Sequence, residues 1–320
     1  MSVPATVPAT RASASGRLTV IGARGLAWLV CQLPDGAMHR LFAAFGEIHY
    51  RFARRRRELA RRNLQRVCRA LESRGLASAR VAVAAHDDHA LERLVQQVFR
   101  HHGRYYLEVL RVAAYSPAYV ATHLRVDDPA EFDAALDTST HGTLFVGMHF
   151  GAMELPVRLA ALRRDEAILA PMETLADPAL HAWFHAQRSA AGIEPVDPHG
   201  AGRRLVERVR AGGVVAIVGD RPIAGPGRPA TLFGAQAALP VGPALLALEA
   251  GVRAWAVAVR RTGWGQYAVR VEPVAMPAKG APRARAAAFM AAEAAAFERL
   301  VADAPEQWWT LLFPIWEDAA

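Results

Sequence analysis

The chain has 320 residues, 52% of them hydrophobic, enough to build one large domain or a domain with an appendage. Its formal net charge of +8 is local: residues 51–69 carry nine arginines against one acid, Glu58. The remainder is balanced, which argues against a chain-wide nucleic-acid surface. Cys31 and Cys68 fit neither a disulfide framework nor a zinc site and point to a reducing compartment.

In chain order, residues 1–16 read as a disordered leader rather than a cleaved signal peptide, since no charged start precedes an apolar run. Residues 18–34 are apolar, broken by Arg24 and ended by Pro34. A spanning helix needs about twenty apolar residues, so this run predicts a helix lying in a membrane interface, with Trp28 and Arg24 at headgroup level. The basic helix of residues 51–69 follows. Arg54, Arg55, Arg56 and Arg57 beside an apolar helix supply the two signals that hold a peripheral protein on an anionic leaflet. A solvated helix face is the plainer reading of the same charges. Residues 86–112 carry Leu, Val and Tyr at three- and four-residue spacing and predict another helix.

From residue 143 the texture changes. Short apolar runs at 144–148, 167–171, 214–218, 254–259 and 267–271 predict strands. Helical patterns occupy 155–163, 178–191, 201–210 and 243–250, with an alanine-rich helix at 283–302. The alternation predicts an α/β fold, a mixed central sheet flanked by helices, with a helical N-terminal segment. The chain divides into a leader (1–16), a helical membrane-associating region (17–112) and an α/β core (113–320).

The most informative stretch is Leu144-Phe-Val-Gly-Met-His149-Phe-Gly-Ala-Met-Glu154-Leu-Pro156. A buried strand delivers His149 into a glycine turn, and Glu154 follows where a helix begins. On a continuous helix, five residues would rotate the pair about 140° apart. A bend at Gly151 removes that objection. His149 is thereby a general-base candidate at a strand end, and Glu154 a carboxylate able to orient it. His123 and Asp128 repeat the spacing, but no comparable strand leads into them.

Gly219-Asp220-Arg221-Pro222 follows the apolar run 214–218, so Asp220 and Arg221 emerge at a second strand end. If the two strands are parallel neighbours, this pair shares the rim of His149; a turn ion pair is the alternative. His181 and His185 lie one helical turn apart without a third metal ligand, and a plain surface helix explains them better. Gly225-Pro-Gly227 lacks the amide donors of a phosphate loop, and there is no nucleophile elbow and no Walker lysine.

With these residues in view, the chain resembles the bacterial lipid A biosynthesis acyltransferases, a family of late lauroyl/myristoyl transferases that also includes the phosphatidylinositol mannoside acyltransferase. Phe145 to Glu154 resembles the family's catalytic block. Arg54 to Leu64 looks like its Arg-rich, Asn-Leu helix, and Arg188-Ser-Ala-Ala-Gly192 is similar to its Arg-x3-Gly. Gly219-Asp220-Arg221 through Leu232-Phe233-Gly234, Pro240 to Leu248, and Pro305-Glu-Gln-Trp308-Trp309 match later blocks in order. Asp220-Arg221 looks closer to the mannoside branch, and Trp316-Glu-Asp318 replaces a basic tail, so the acceptor stays open.

The resemblance implies transfer of a fatty acyl group from a thioester, acyl carrier protein or acyl-CoA, to a hydroxyl of a lipid or glycolipid. It implies no cofactor, no metal and no enzyme nucleophile. It places the protein on the cytoplasmic face of the inner membrane as a peripheral or monotopic enzyme of lipid A, lipopolysaccharide or glycolipid synthesis. His149 takes the proton from the acceptor hydroxyl, and Glu154 holds the imidazole tautomer. Arg188 or backbone amides after His149 meet the oxyanion, and Asp220 and Arg221 position a substrate. The basic helix meets anionic lipid or docks the acidic carrier protein. A membrane-bound esterase and a non-catalytic lipid-binding protein of the same fold are the rival readings.

Overall fold

The computed structural model describes residues 14–137, 141–222 and 225–316. Residues 1–13, most of the expected leader, and Glu317-Asp318 of the tail lie outside the described residues.

The N-terminal region is helical: α1 (Ala14–Gln32), α2 (Asp35–Phe52), α3 (Arg54–Ser73), α4 (Ala79–His86) and α5 (Asp88–Arg111). Pro34 ends the first of these, and Asp87 caps α5 by accepting from the amide of Ala90. Arg111 closes the α1–α2 corner, donating to the carbonyls of Val30 and Leu33 and pairing with Asp35. It thus satisfies carbonyls that the end of α1 leaves open.

The rest alternates: α6 (Pro117–His123), β1 (Leu124–Val126), α7 (Pro129–Leu136), β2 (Thr143–Gly151), α8 (Leu155–Arg164), β3 (Ile168–Pro171), α9 (Pro178–Ala190), β4 (Ile193–Val196), α10 (Gly202–Arg210) and β5 (Val214–Val218). A hairpin, β6 (Arg228–Leu232) and β7 (Ala235–Leu239), precedes α11 (Gly242–Ala250), β8 (Arg253–Gly263), β9 (Gln266–Val274) and α12 (Pro282–Ala302). The last described stretch folds into short 3-10 turns at Pro305–Gln307 and Trp309–Leu312.

Among the described residues seven strands form one sheet, ordered β1-β9-β8-β2-β5-β3-β4. Only the β8–β9 pairing is antiparallel, so the sheet is mixed, as expected from the sequence. Strand periodicity sends Leu144, Val146, Met148 and Phe150 to one face and Phe145 to the other. The first face shares a continuous core with α10, α11, α12 and the buried sides of α3, α4 and α5. The second face packs under α7 and α8. The helices α3, α4 and α5 are therefore built into the same core as the sheet, whereas α1 and α2 bury Val30, Met38 and Phe42 against Leu107 of α5 in a smaller cluster. No helix among the described residues is long and apolar enough to cross a membrane.

Candidate active site

Register decides the site. β2 and β5 are parallel neighbours with Gly147 opposite Val218, so residues two further on, His149 and Asp220, meet beyond the ladder. The amide of Gly219 donates to the carbonyl of Gly147 at 2.9 Å and fixes this level. The condition set by the sequence is met: Asp220 sits on the rim of His149. The carboxylate on the imidazole is Asp220, with Nδ1 to Oδ1 at 2.7 Å, and not Glu154.

Asp220 is buried and fully subscribed. Its Oδ2 accepts from the His149 amide at 3.1 Å, Trp308 Nε1 at 2.8 Å and Thr310 Oγ1 at 2.7 Å. Burial alone would raise the carboxyl's pKa, but the charge and hydrogen bond of His149, with Thr310 and Trp308, hold it below the usual range. An ionised Asp220 accepts from Nδ1–H, which leaves Nε2 as the basic nitrogen of His149. Trp309 packs edge-on against the imidazole, with ring centroids 4.5 Å apart.

Glu154 stands on the same cavity wall but has a different partner. Gly151 does bend the chain as expected, with φ +54; a Cβ there would lie 1.7 Å from the Val259 carbonyl oxygen. The bend leaves Glu154 just ahead of α8, where its Oε1 accepts from Arg188 Nη2 at 2.8 Å and Nε at 3.3 Å. The charge of Glu154 pushes the Arg188 guanidinium above its ordinary range. Arg188 is thus engaged with Glu154, and the amides of Ala152 and Leu155 are spent on backbone bonds. Arg221 also lines the cavity and stacks on Phe313 at 4.5 Å. Among the described residues it has no hydrogen-bond or ion-pair partner, and its Nε is buried.

The turn after His149 is braced from below. Arg261, buried, pairs with Glu108 and donates from Nη2 to the Gly151 carbonyl at 2.9 Å. Gln307 locks the C-terminal segment to the same residue, accepting from the Arg261 amide at 2.8 Å and donating to its carbonyl at 2.9 Å. Asn63, from the Arg-rich helix, donates to the carbonyls of Leu311 and Phe313. Distant blocks of sequence thereby converge on one segment that presents Trp308, Trp309 and Thr310 to the dyad.

Behind Asp220 lies Glu293 on α12, with no exposure and, among the described residues, no hydrogen-bond partner for either oxygen. A Cβ at Gly219 would stand 2.4 Å from its Oε1, so the glycine makes room for it. Burial, then the charge of Asp220, push Glu293 well above the usual carboxylate range. Two neighbouring carboxyls are driven apart: one ionised and holding the base, the other neutral.

His149, Glu154, Arg188 and Arg221 line one cavity of about 280 Å³. Much of its wall is apolar, including Met153, Val157, Met172, Phe184, Ile193 and Val257. Pro156, Val157, Ala216 and Val257 also wall a small void of about 10 Å³ closed by Phe132, Phe145 and Ile168. The arrangement sets a base against a largely apolar cavity. Residues 79–316 match the model of the bacterial lipid A biosynthesis acyltransferases. The chain belongs to that family. Among curated relatives of this acyltransferase are the phosphatidylinositol mannoside acyltransferases of two Mycobacterium tuberculosis strains, CDC 1551 / Oshkosh and H37Rv. Each is 28% identical over 227 residues, 67% of this chain and 67% of the relative.

The remaining sequence candidates are dispersed. Arg56 stacks on Phe313 at 5.2 Å and Arg57 on Tyr50 at 5.2 Å, while Arg54 and Arg55 are exposed on α3. Trp28 is 66% exposed on α1. His123 stacks on Tyr119 and Asp128 caps α7, so that repeated spacing is local structure. Among the described residues no group of three His, Cys, Asp or Glu is placed to hold a metal. Sequence reasoning gave no role to Trp308, Trp309, Thr310, Arg261 or Glu293. The Pro305-to-Trp309 block was the available signal for the first two.

Proposed function

We propose that this acyltransferase moves a fatty acyl group from a thioester, carried by acyl carrier protein or coenzyme A, to a hydroxyl of a lipid or glycolipid. The observation that carries the reading is the His149–Asp220 pair set against a largely apolar cavity. The acyl chain occupies that cavity and brings its thioester carbonyl to His149. Nε2 takes the proton as the acceptor oxygen attacks. The tetrahedral intermediate collapses, the C–S bond breaks, and the departing thiolate takes that proton from the imidazolium, leaving an ester and a free thiol. Asp220 stabilises the imidazolium. Arg221, which lines the cavity and has no ion-pair partner among the described residues, meets the developing oxyanion or a donor phosphate. Glu154, the second member of the His-x4-Glu spacing, acts through Arg188 to shape the wall beside His149. The donor's own thioester supplies the activation, so no cofactor enters.

The reaction takes place at a membrane surface, on the cytoplasmic face of the inner membrane. Supporting this, α2 exposes Leu41, Phe45, Ile48 and Phe52 along one stripe, and α1 exposes Leu18, Ile21 and Trp28. Exposed Tyr106 links this side to the site through Tyr105 and Trp309, at 5.5 and 4.8 Å between ring centroids. Incubation with a labelled acyl thioester and lipid vesicles, followed by separation of acylated lipid from free fatty acid, tests the proposal. Wild type should form lipid ester and His149→Ala none. Free fatty acid alone would make it an esterase, and no turnover in wild type with bound lipid would make it a binding protein.

A further inference from the structure

Trp264 sits in the turn between β8 and β9 and is 44% exposed. Two guanidiniums pack on its indole: Arg104 of α5, with Cζ 4.3 Å from the ring centroid, and Arg40 of α2, at 5.8 Å. Neither has a carboxylate within ion-pair distance among the described residues. Arg104 Nε is buried with no hydrogen-bond partner. Glu108, the carboxylate whose charge reaches Arg104, is already held by Arg261. Burial, followed by the charge of Arg261, pulls the Arg104 guanidinium down to about 10, with the charge of Glu108 offsetting only part of it. Arg100, one turn earlier on the same helix, is by contrast paired with Glu47.

The position of this cluster indicates its ligand. Arg40 directly precedes Leu41, the first residue of the exposed apolar stripe of α2. A helix lying with that stripe in the acyl region carries Arg40, Arg104 and Trp264 at the level of the headgroups, where indoles and guanidiniums settle. The planar fork of arginine matches a phosphate better than any other side chain does. We propose that Arg40 and Arg104, set against Trp264, form a binding site for the phosphate of a membrane-lipid headgroup. The site rests on the interfacial reading of α1 and α2. It is separate from the acyl slot but linked to it, because Arg261 beside Arg104 also braces the Gly151 carbonyl of the catalytic turn.

The test compares binding to phosphatidylcholine vesicles with binding to vesicles that contain phosphatidylglycerol. The proteins are wild type, R40Q/R104Q, and the charge-matched control R125Q/R203Q, whose arginines lie on β1 and α10. Wild type and control should prefer the anionic vesicles, and R40Q/R104Q should lose about thirtyfold of that preference at low salt. Retention of the wild-type preference by R40Q/R104Q, or an equal loss in the control, overturns the site. If no protein binds any vesicle, the interfacial reading fails, and a bilayer-free arm decides the site by itself. There, short-chain phosphatidylglycerol and inorganic phosphate are titrated against indole fluorescence, with W264F identifying the Trp264 signal. A saturable change in wild type that is absent from R40Q/R104Q supports the site. Saturation by the lipid alone assigns it to a headgroup and saturation by both to phosphate itself, whereas no change with either overturns it.

Discussion

Replacing Asp220 with asparagine tests the dyad at the level of single hydrogen bonds. Oδ2 of Asp220 receives three donors, from the His149 amide, Trp308 and Thr310, while Oδ1 receives His149 Nδ1. An asparagine has one oxygen, which goes where the donors are most numerous, in the Oδ2 position. Its NH2 then faces Nδ1 and donates to it, which moves the imidazole proton to Nε2 and removes the base from the reaction. The equivalent change in a serine-protease triad lowers kcat about 10⁴-fold by the same tautomer reversal. D220N should therefore lose about 10³- to 10⁴-fold in single-turnover ester formation, or about 4–5.5 kcal/mol of barrier. Circular dichroism and Tm report whether the fold survives. Glu154→Gln is the companion variant: its carbonyl oxygen still accepts from Arg188 and does not touch the imidazole. It should lose far less kcat than D220N. If D220N keeps a tenth of wild-type kcat or more while E154Q is dead, the assignment of Asp220 to the imidazole is wrong.

Burial, then the charge of Asp220, raises the folded pKa of Glu293 above its unfolded one, so its stability contribution is complete below the unfolded value and is lost as pH rises toward the folded one. Tm of E293Q minus Tm of wild type should therefore grow as pH rises above about 4.5, and a flat difference would show that the carboxyl is not held neutral. The buried histidines of α2 and α5 shift the opposite way: burial, then the charge of neighbouring Arg261 or His49, lowers His39 to about 3 and His102 to about 4. Their stability is present above the unfolded histidine pKa and is lost as pH falls, so wild-type Tm should drop between pH 6.5 and 4, with a shallower slope in H102Q. Ala216 walls both the acyl slot and the small void beyond it, so Ala216→Leu should shorten the preferred chain. Each methylene that no longer fits should cost tenfold or more in kcat/KM, measured across a series of acyl-CoA lengths; an unchanged preference would place the chain elsewhere.

Legibility from sequence followed the strength of the local pattern. β2, β5 and β8 are apolar runs bounded by turns, and α10 and α5 carry one apolar face each, so both types stood out. α2 did not, because it has apolar residues on two sides: Met38, Phe42 and Ala43 face the core, while Leu41, Phe45 and Ile48 face out. The helical period is blurred when both faces are apolar. β4 carries Pro195 and lies at the sheet edge, where proline is tolerated but the strand signal is lost. The hairpin of β6 and β7 was hidden behind the glycine and proline turn that precedes it.

At the site, His149 was legible because its strand, glycine turn and following helix are contiguous. The partner of its imidazole was half legible. Asp220 was placed on the rim by its own strand, but spacing favoured the nearer Glu154. Local spacing says nothing of where a side chain points after a bend, and Arg188, 34 residues downstream, captures Glu154. Trp308 lies between two short 3-10 turns and Thr310 in the second, without periodicity, and their role appears only once β2 and β5 are paired.

A structure with an acyl-CoA analogue whose thioester is replaced by an unreactive thioether would test the account most directly. The alkyl chain should lie in the slot between α8 and α9, with its sulfur about 3–3.5 Å from His149 Nε2 and Asp220 still on Nδ1. A chain bound in the separate groove beside Leu205 and Leu245, or an imidazole turned from Asp220 to Glu154, would contradict it.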